Sequence, residues 1–395
     1  MAPRLRWIAI GVFVLSSSLN YLDRLLLAAL APTLKLEFRL SNAEYGQVIS
    51  VFSLIYTIMA PVSGWFIDTV GLNWGITVSM TVWSLAGMAT GLGRGFPALL
   101  ISRSVLGAAE AAGIPAAAKA NGTYLAAPEL AFGSAMNQVG ITIGSIAAPL
   151  VVAGMAPVYG WRSVFLVCGA LGFVWLPVWW LTARGIPATI SQSQPAVFRD
   201  FRKILRDRRV WALAAANALV MTLYTLWTNW TTVYLVERHH LTQEQANHQF
   251  AWIPPVFAML GGFFGGWLSY RFARNGKTPV FAARIRTSWI AAFFLLLTAA
   301  VPLMPSPGLS AAAISVSFFW CLAISANFYV MPIDFFGARY AAFGVSLLTC
   351  SYGLMQTLVS PLIGSMIDHF GFTPVCVVAA VLPLAGISIL KAGTP

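Results

Sequence analysis

Eight stretches of this chain run 21 to 32 residues from one Asp, Glu, Lys or Arg to the next: 45–67, 69–93, 130–161, 163–183, 210–236, 245–270, 340–367 and 369–390. A helix rising 1.5 Å per residue crosses about 30 Å of hydrocarbon in about 20 residues, so each stretch can span a bilayer. Lipid offers no partner for a free N–H or C=O, which restricts such segments to helices or a closed barrel. The uncharged stretch 287–333 is too long for one span, and its "PLMPSPGL" run at 302–309 divides it into two. Two more apolar segments, at about 7–33 and 96–124, complete a predicted set of twelve. With 58% hydrophobic residues, 15 Trp and 26 Phe, the chain reads as an all-α integral membrane protein.

The net charge of +12 invites a nucleic-acid reading, but its distribution points elsewhere. Arg184, Arg199, Arg202, Lys203, Arg206, Arg208 and Arg209 crowd the segment 184–209 against Asp200 and Asp207. Arg271, Arg274, Lys277, Arg284 and Arg286 follow with no acid among them. In a twelve-span count both segments fall on one side, and short basic loops stay cytoplasmic. Arg4 and Arg6 join them, so both termini are expected on the cytoplasmic side of the membrane, and the first span is read as a retained helix. No nucleic-acid partner is expected. Cys168, Cys321, Cys350 and Cys376 lie singly in apolar spans, as packing residues do.

The basic segment 184–209 separates six spans at 1–183 from six at 210–395, which predicts two six-helix bundles joined by a cytoplasmic linker. A second symmetry crosses the first. "PVSGWFIDTVG" from Pro61 matches "PLIGSMIDHFG" from Pro361 at Pro, Gly, Ile, Asp and Gly, ending spans 2 and 11, which run in opposite directions. Inverted repeats nested in six-helix halves are a feature of secondary transporters, whose cargo binds near the bilayer midplane.

Two spans break the rule of no charge. Asp23 and Arg24 lie within span 1, and Arg103 and Glu110 within span 4. Each charge at a bilayer centre costs about 2.5 to 3.5 kcal/mol on insertion scales, so such groups are kept where they pair or handle a charged cargo. Arg103 and Glu110, seven apart, share a helix face about 10 Å from each other. Asp23 and Arg24 diverge by about 100° around their helix, so one can face cargo while the other faces a neighbouring helix. An arginine that moves between carboxylates would switch their protonation, which is what proton coupling requires. The same four residues could also form fixed ion pairs that hold spans 1 and 4 together.

Tyr56, Asn137, Gln138, Asn217, Tyr224, Asn229, Asn327, Tyr352 and Gln356 add polar groups inside spans and together suit a hydroxylated cargo. Lys119 lies near the inner end of span 4, where its stem can snorkel, and Asp68 could latch the inner loop. "NGKT" at 275–278 fails as a phosphate loop because Arg271 stands where its first glycine belongs, so ATP drive has no support. No metal cluster, nucleophile with its base, or cofactor loop is found, so neither an enzyme nor a cofactor is expected.

At these residues the chain resembles the major facilitator superfamily, in its anion:cation symporter branch, which includes hexuronate, galactonate and glucarate transporters and is related to sialin and the vesicular glutamate transporters. "NYLDR" at 20–24, "GWFIDTVG" at 64–71, "RSVLGAAEAAGIPAAAK" at 103–119, "GWR" at 160–162 and "NWTTVYL" at 229–235 carry the resemblance over nearly the whole chain. It implies a twelve-helix major facilitator fold. It also implies that Arg24 holds the cargo carboxylate, Asp23 and Glu110 carry protons, Arg103 pairs with those acids, and Tyr56 and Asn217 line the pocket. Thr69, Asn73 and Leu130 stand where relatives have basic residues, while Ile141, Leu354 and Gln356 alter the part of the pocket that would read hydroxyls.

The expected function is proton-coupled import of a small organic anion, a sugar acid such as a hexuronate or aldonate, by a monomer embedded in inner-membrane lipid. Gln138, Asn327 and Gln356 join Arg24, Tyr56 and Asn217 as expected cargo contacts. A monocarboxylate, dicarboxylate or aromatic-acid carrier, or a membrane solute sensor that does not transport, remains an alternative.

Overall fold

A computed structural model of the chain describes residues 3–126, 129–183, 204–274, 276, 278–336 and 341–394. Among these, twelve helical segments are long and apolar enough to cross a membrane: Arg6–Ala29, Asn42–Val70, Leu72–Leu92, Phe96–Tyr124, Phe132–Tyr159, Trp161–Ala183, Arg208–His239, Gln243–Ala273, Val280–Leu303, Pro307–Phe336, Gly344–Phe370 and Phe372–Gly393. We number them spans 1 to 12. No strand occurs among the described residues. Of the basic linker, residues 184–203 lie outside the described residues, as do Asn275 and Lys277 of the rejected phosphate-loop run.

Helices overrun the limits that charges set in the sequence. Span 9 starts at Val280, ahead of Arg284 and Arg286, and span 7 continues past Glu237 to His239. Backbone hydrogen bonding persists into the interface, where a charged side chain meets water without breaking the helix.

Among the described residues, three interruptions fall at a proline where the sequence reading has a single span. The first helix stops at Ala29 and a separate one, Ala31–Phe38, follows with Pro32 in its first turn. Span 4 divides into Phe96–Glu110 and Gly113–Tyr124 ahead of Pro115, and span 10 into Pro307–Phe328 and Met331–Phe336 ahead of Pro332. A proline has no N–H for the carbonyl four residues back and its ring crowds that carbonyl. Pro61, Pro177 and Pro361 lie inside unbroken helices, so proline alone does not decide the break. Neighbouring groups can re-satisfy the freed carbonyl in some places and not in others.

The described chain divides into two compact units, one holding Met1–Leu40, Gln47–Ser193 and Leu241–Trp252, the other Ser41–Gly46, Gln194–His240 and Ile253–Pro395. In the first, Trp175 and Trp179 stack with ring centres 5.5 Å apart, and Phe13 of span 1 meets both edge-on. The Trp175 indole donates to the Val12 carbonyl at 2.7 Å, which fixes span 6 against span 1. Such aromatic pairs contribute about 0.5 to 1.5 kcal/mol beyond their burial. In the second unit, the buried Tyr234 hydroxyl donates to the Val301 carbonyl at 2.9 Å, tying span 7 to span 9.

The matching "Pro…Gly…Ile-Asp…Gly" copies adopt the same local structure. Gly71 and Gly371 have φ of 91° and 72°, and their N–H groups donate to Ile67 and Ile367 carbonyls at 3.1 and 2.9 Å. Only glycine takes that left-handed conformation without strain, so both helices end at the same relative position. The aspartates then diverge. Asp68 pairs with Lys119 Nζ at 3.0 Å while Lys119 also donates to the Ile67 carbonyl at 2.8 Å, a cation closing a helix C-terminus. Asp368 accepts from the backbone N–H groups of Asn42 and Ala43, each at 2.9 Å, an anion closing a helix N-terminus.

Candidate functional site

The interruption of span 4 puts Glu110 at the last residue of a half-helix, followed by the turn Ala111–Ala112. There the ladder loosens: Ala112 N–H reaches only the Ala109 carbonyl, at 3.4 Å. Glu110 is 0% exposed and Arg103, two turns earlier on the same half-helix, is 1% exposed. Span 1 supplies Asp23, also buried, and Arg24, whose side chain keeps 21% exposure.

Arg24 reaches across to span 4. Its Nε donates to Glu110 Oε2 at 3.1 Å, its Nη2 lies 3.0 Å from the same oxygen, and Nη2 also donates to Asn20 Oδ1 at 3.3 Å. Three rings enclose the guanidinium: Tyr21 at 4.7 Å, Tyr56 at 4.8 Å and Phe52 at 5.0 Å from its central carbon. Each cation–π contact contributes about 0.5 to 2 kcal/mol depending on desolvation. Phe52 and Tyr56 stack four residues apart on span 2, and a close helix approach brings that face in. A Cβ on Gly107 of span 4 would lie 2.6 Å from the Phe52 carbonyl oxygen, so only glycine lets the two backbones meet here.

Both Arg24 contacts fall on Glu110 Oε2. Glu110 Oε1 is buried and has no hydrogen-bond partner among the described residues. Asp23 lies in the field of both Glu110 and Arg103, and the Arg103 guanidinium lies 5.7 Å from the Phe165 ring of span 6. Arg24 turns to Glu110 and the rings, while Asp23 is buried in the field of the same Glu110 and of Arg103. The partner choice is new information: the cation expected to hold cargo is itself ion-paired with the acid expected to carry the proton.

Tyr56 takes its place beside Arg24, and Gln138, on span 5 of the same unit, has an exposed side chain. The other expected contacts belong to the second unit. Asn217 is buried; its Nδ2 donates to the Leu348 carbonyl at 3.0 Å and to Ser351 Oγ at 3.2 Å, and its Oδ1 has no partner among the described residues. Asn327 is fully engaged between helices: Nδ2 donates to the Gly265 and Ala323 carbonyls at 3.1 and 2.9 Å, and Oδ1 accepts from Ser269. Gln356 is half-buried on span 11. Asn20, Tyr21 and Phe52 were not singled out from sequence. Their signal was spacing, because Asn20 and Tyr21 stand four and three residues before Arg24, and Phe52 stands four before Tyr56.

Twelve helical spans with buried charges gathered at a broken helix are the build of a membrane solute transporter, whose binding groups occupy discontinuous helices, and not of an enzyme. The chain belongs to the Major Facilitator Superfamily, whose family model matches residues 13–341. The hexuronate transporter of Escherichia coli (strain K12) is 28% identical to it over 403 residues, covering 98% of this chain and 93% of that protein. The galacturonate transporter of Dickeya chrysanthemi is 29% identical over 320 residues, 77% of this chain and 92% of its own. Among solved structures, a bacterial homolog to the human lysosomal transporter Spinster, crystallised in an inward-facing and occupied conformation, superposes with a TM-score of 0.79 at 20% identity. The superposition covers 97% of this chain and 94% of the other, which establishes a shared fold.

Proposed function

We propose that this transporter imports a sugar acid, a hexuronate or aldonate, together with a proton, by alternating access in the inner membrane with both termini in the cytoplasm. The observation that carries the reading is the Arg24 to Glu110 pair with its bare Oε1. Arg24 is the partly exposed member and presents the planar fork that suits a carboxylate. A cargo carboxylate that takes Arg24 leaves Glu110 buried without its cation. An unpaired buried carboxylate costs several kcal/mol, whereas neutralising it costs about 1.4 kcal/mol per pH unit, so a proton on Oε1 is the cheaper outcome. One anion and one proton thus enter together and the local charge is unchanged. Asp23 is the second proton-carrying acid, and Arg103 is the counter-ion that receives whichever carboxylate is ionised.

The hexuronate and galacturonate transporters among the relatives favour a cargo with one carboxylate and several hydroxyls. The rings of Tyr21, Phe52 and Tyr56 suit the apolar face of a pyranose as well as they suit the guanidinium. Tyr56, Gln138, Asn217 and Gln356 remain the proposed hydroxyl readers, with Asn217 Oδ1 the acceptor left open. Uptake of radiolabelled D-galacturonate into proteoliposomes tests the whole reading. Accumulation is expected under an inward proton gradient and is expected to vanish when an uncoupler collapses it. Accumulation that ignores the uncoupler would refute coupling, and failure to take up any of a panel of sugar acids would refute the cargo class.

A further inference from the structure

From Glu244 to Asp334 the sequence holds no Asp or Glu, yet it carries Arg271, Arg274, Lys277, Arg284 and Arg286. The one acid at its end is taken: Asp334 Oδ2 lies 2.6 Å from Arg284 Nε. Among the described residues, Arg271, Arg274 and Arg286 form no ion pair and are exposed. Two of them are nevertheless positioned. Arg271 stacks on the Trp267 ring at 5.4 Å, and Arg286 of span 9 stacks on the Phe272 ring of span 8 at 4.6 Å. A stacked guanidinium keeps its N–H edge free, so Arg286 offers donors at the seam of spans 8 and 9 and Arg271 offers them beside Trp267 on the exposed face of span 8.

Below that seam runs an apolar lane. Leu260, Phe263, Trp267 and Tyr270 of span 8 are 47%, 63%, 48% and 66% exposed. Their spacing of three, four and three residues puts them on one face, and four residues after Tyr270 the lane ends at Arg274. Large rings on an outward helix face suit acyl chains, and Trp and Tyr at its end suit the headgroup level.

We infer that this lane and its arginines form a site for an anionic phospholipid, with an acyl chain along Leu260 to Tyr270 and the headgroup phosphate at Arg271, Arg274 and Arg286. Basic loop placement accounts for the number of arginines. It does not account for stacked, unneutralised guanidinium groups at the head of an exposed apolar lane beside a neighbour that has its own carboxylate. The site is independent of the cargo, so it stands or falls apart from the transport reading.

The test uses the full-length protein in phosphatidylcholine vesicles with brominated phosphatidylglycerol or brominated phosphatidylcholine as the quencher. The Trp267 signal is taken as the difference between each protein and its Trp267→Phe counterpart. An arginine near a charged lipid surface contributes about five-fold, so the two stacked arginines should make brominated phosphatidylglycerol quench at about 25-fold lower mole fraction. Arg271→Gln with Arg286→Gln should bring the two lipids to parity, while Arg94→Gln, an exposed arginine between spans 3 and 4, should leave the preference intact. Equal quenching in the unaltered protein, or a preference that survives the double substitution, overturns the site. Relief of quenching by inorganic phosphate against chloride at matched ionic strength also overturns it, because the occupant would then be a free anion.

Discussion

Replacing Glu110 by Gln separates cargo binding from proton uptake and gives a number. In the unaltered protein, Glu110 Oε2 accepts both Arg24 contacts at 3.0 and 3.1 Å, so under the proposed function a cargo carboxylate that takes Arg24 displaces Glu110, which then takes a proton. Over the pH range where Glu110 is ionised when paired and protonated when displaced, binding consumes one proton. Cargo affinity then falls about tenfold per pH unit as pH rises, about 1.4 kcal/mol each. Across two units of that range the loss is about 100-fold. A glutamine keeps the shape and one acceptor for Arg24 but carries no proton to exchange, so the slope should fall to zero. Affinity at the alkaline end should improve, because cargo no longer competes with a charged carboxylate. Calorimetric titration with D-galacturonate in buffers of different ionisation enthalpy reads both quantities, with one proton bound per cargo expected in the parent and none in the variant. A slope of one retained in Glu110→Gln would refute Glu110 as the coupling acid and move the role to Asp23.

Three further outcomes follow from the geometry. Gly107→Ala puts a methyl 2.6 Å from the Phe52 carbonyl oxygen, and forcing spans 2 and 4 apart should cost about 1 to 3 kcal/mol against about 1 kcal/mol gained in helix propensity. Its melting temperature in detergent should fall, and an unchanged value would show that the helices separate freely. Asn327→Ala removes the amide's hydrogen bonds to the Gly265 and Ala323 carbonyls and to Ser269 and should lower stability by about 1 to 3 kcal/mol with cargo affinity held within about twofold. Lost affinity with intact stability would instead make Asn327 a cargo contact. Asp207 caps span 7 by accepting from Arg209 N–H at 2.9 Å, and hydrogen bonds from the Arg209 side chain hold its carboxyl below the usual range. A depressed carboxyl stabilises above its unfolded value of about 4 and loses that contribution as pH falls through the folded value. Asp207→Ala should therefore cost about 1 kcal/mol at neutral pH and progressively less in acid, read as converging melting curves.

The twelve spans were legible because hydrocarbon length and the ban on unsatisfied backbone act on composition, residue by residue, without reference to neighbours. The ends of spans 2 and 11 were legible for a similar reason. Gly71 and Gly371 mark a backbone conformation that little else adopts, and both take it. The interruptions at Pro32, Pro115 and Pro332 carried a local signal, but the same residue leaves spans 2, 6 and 11 unbroken at Pro61, Pro177 and Pro361. Whether a freed carbonyl finds another partner depends on what packs against it.

The four charges show where local reasoning stops. Their cost in lipid marks Asp23, Arg24, Arg103 and Glu110 as residues with a task, and adjacency fixes that Asp23 and Arg24 diverge. Which cation meets which acid was set by the rotation of span 4 against span 1 and by the Gly107 to Phe52 contact that carries the aromatic face of span 2 to Arg24. The in-span asparagines divide the same way. In sequence Asn217 and Asn327 are equal candidates, yet Asn327 spends its donors and acceptor between helices while Asn217 keeps Oδ1 open. Sequence by itself determined that twelve stretches are long and apolar enough to cross a membrane and that two cations and two acids fall within spans 1 and 4. Only the tertiary structure decided that Arg24 holds Glu110, because pairing is a matter of distance between helices that the order of residues along one helix does not contain.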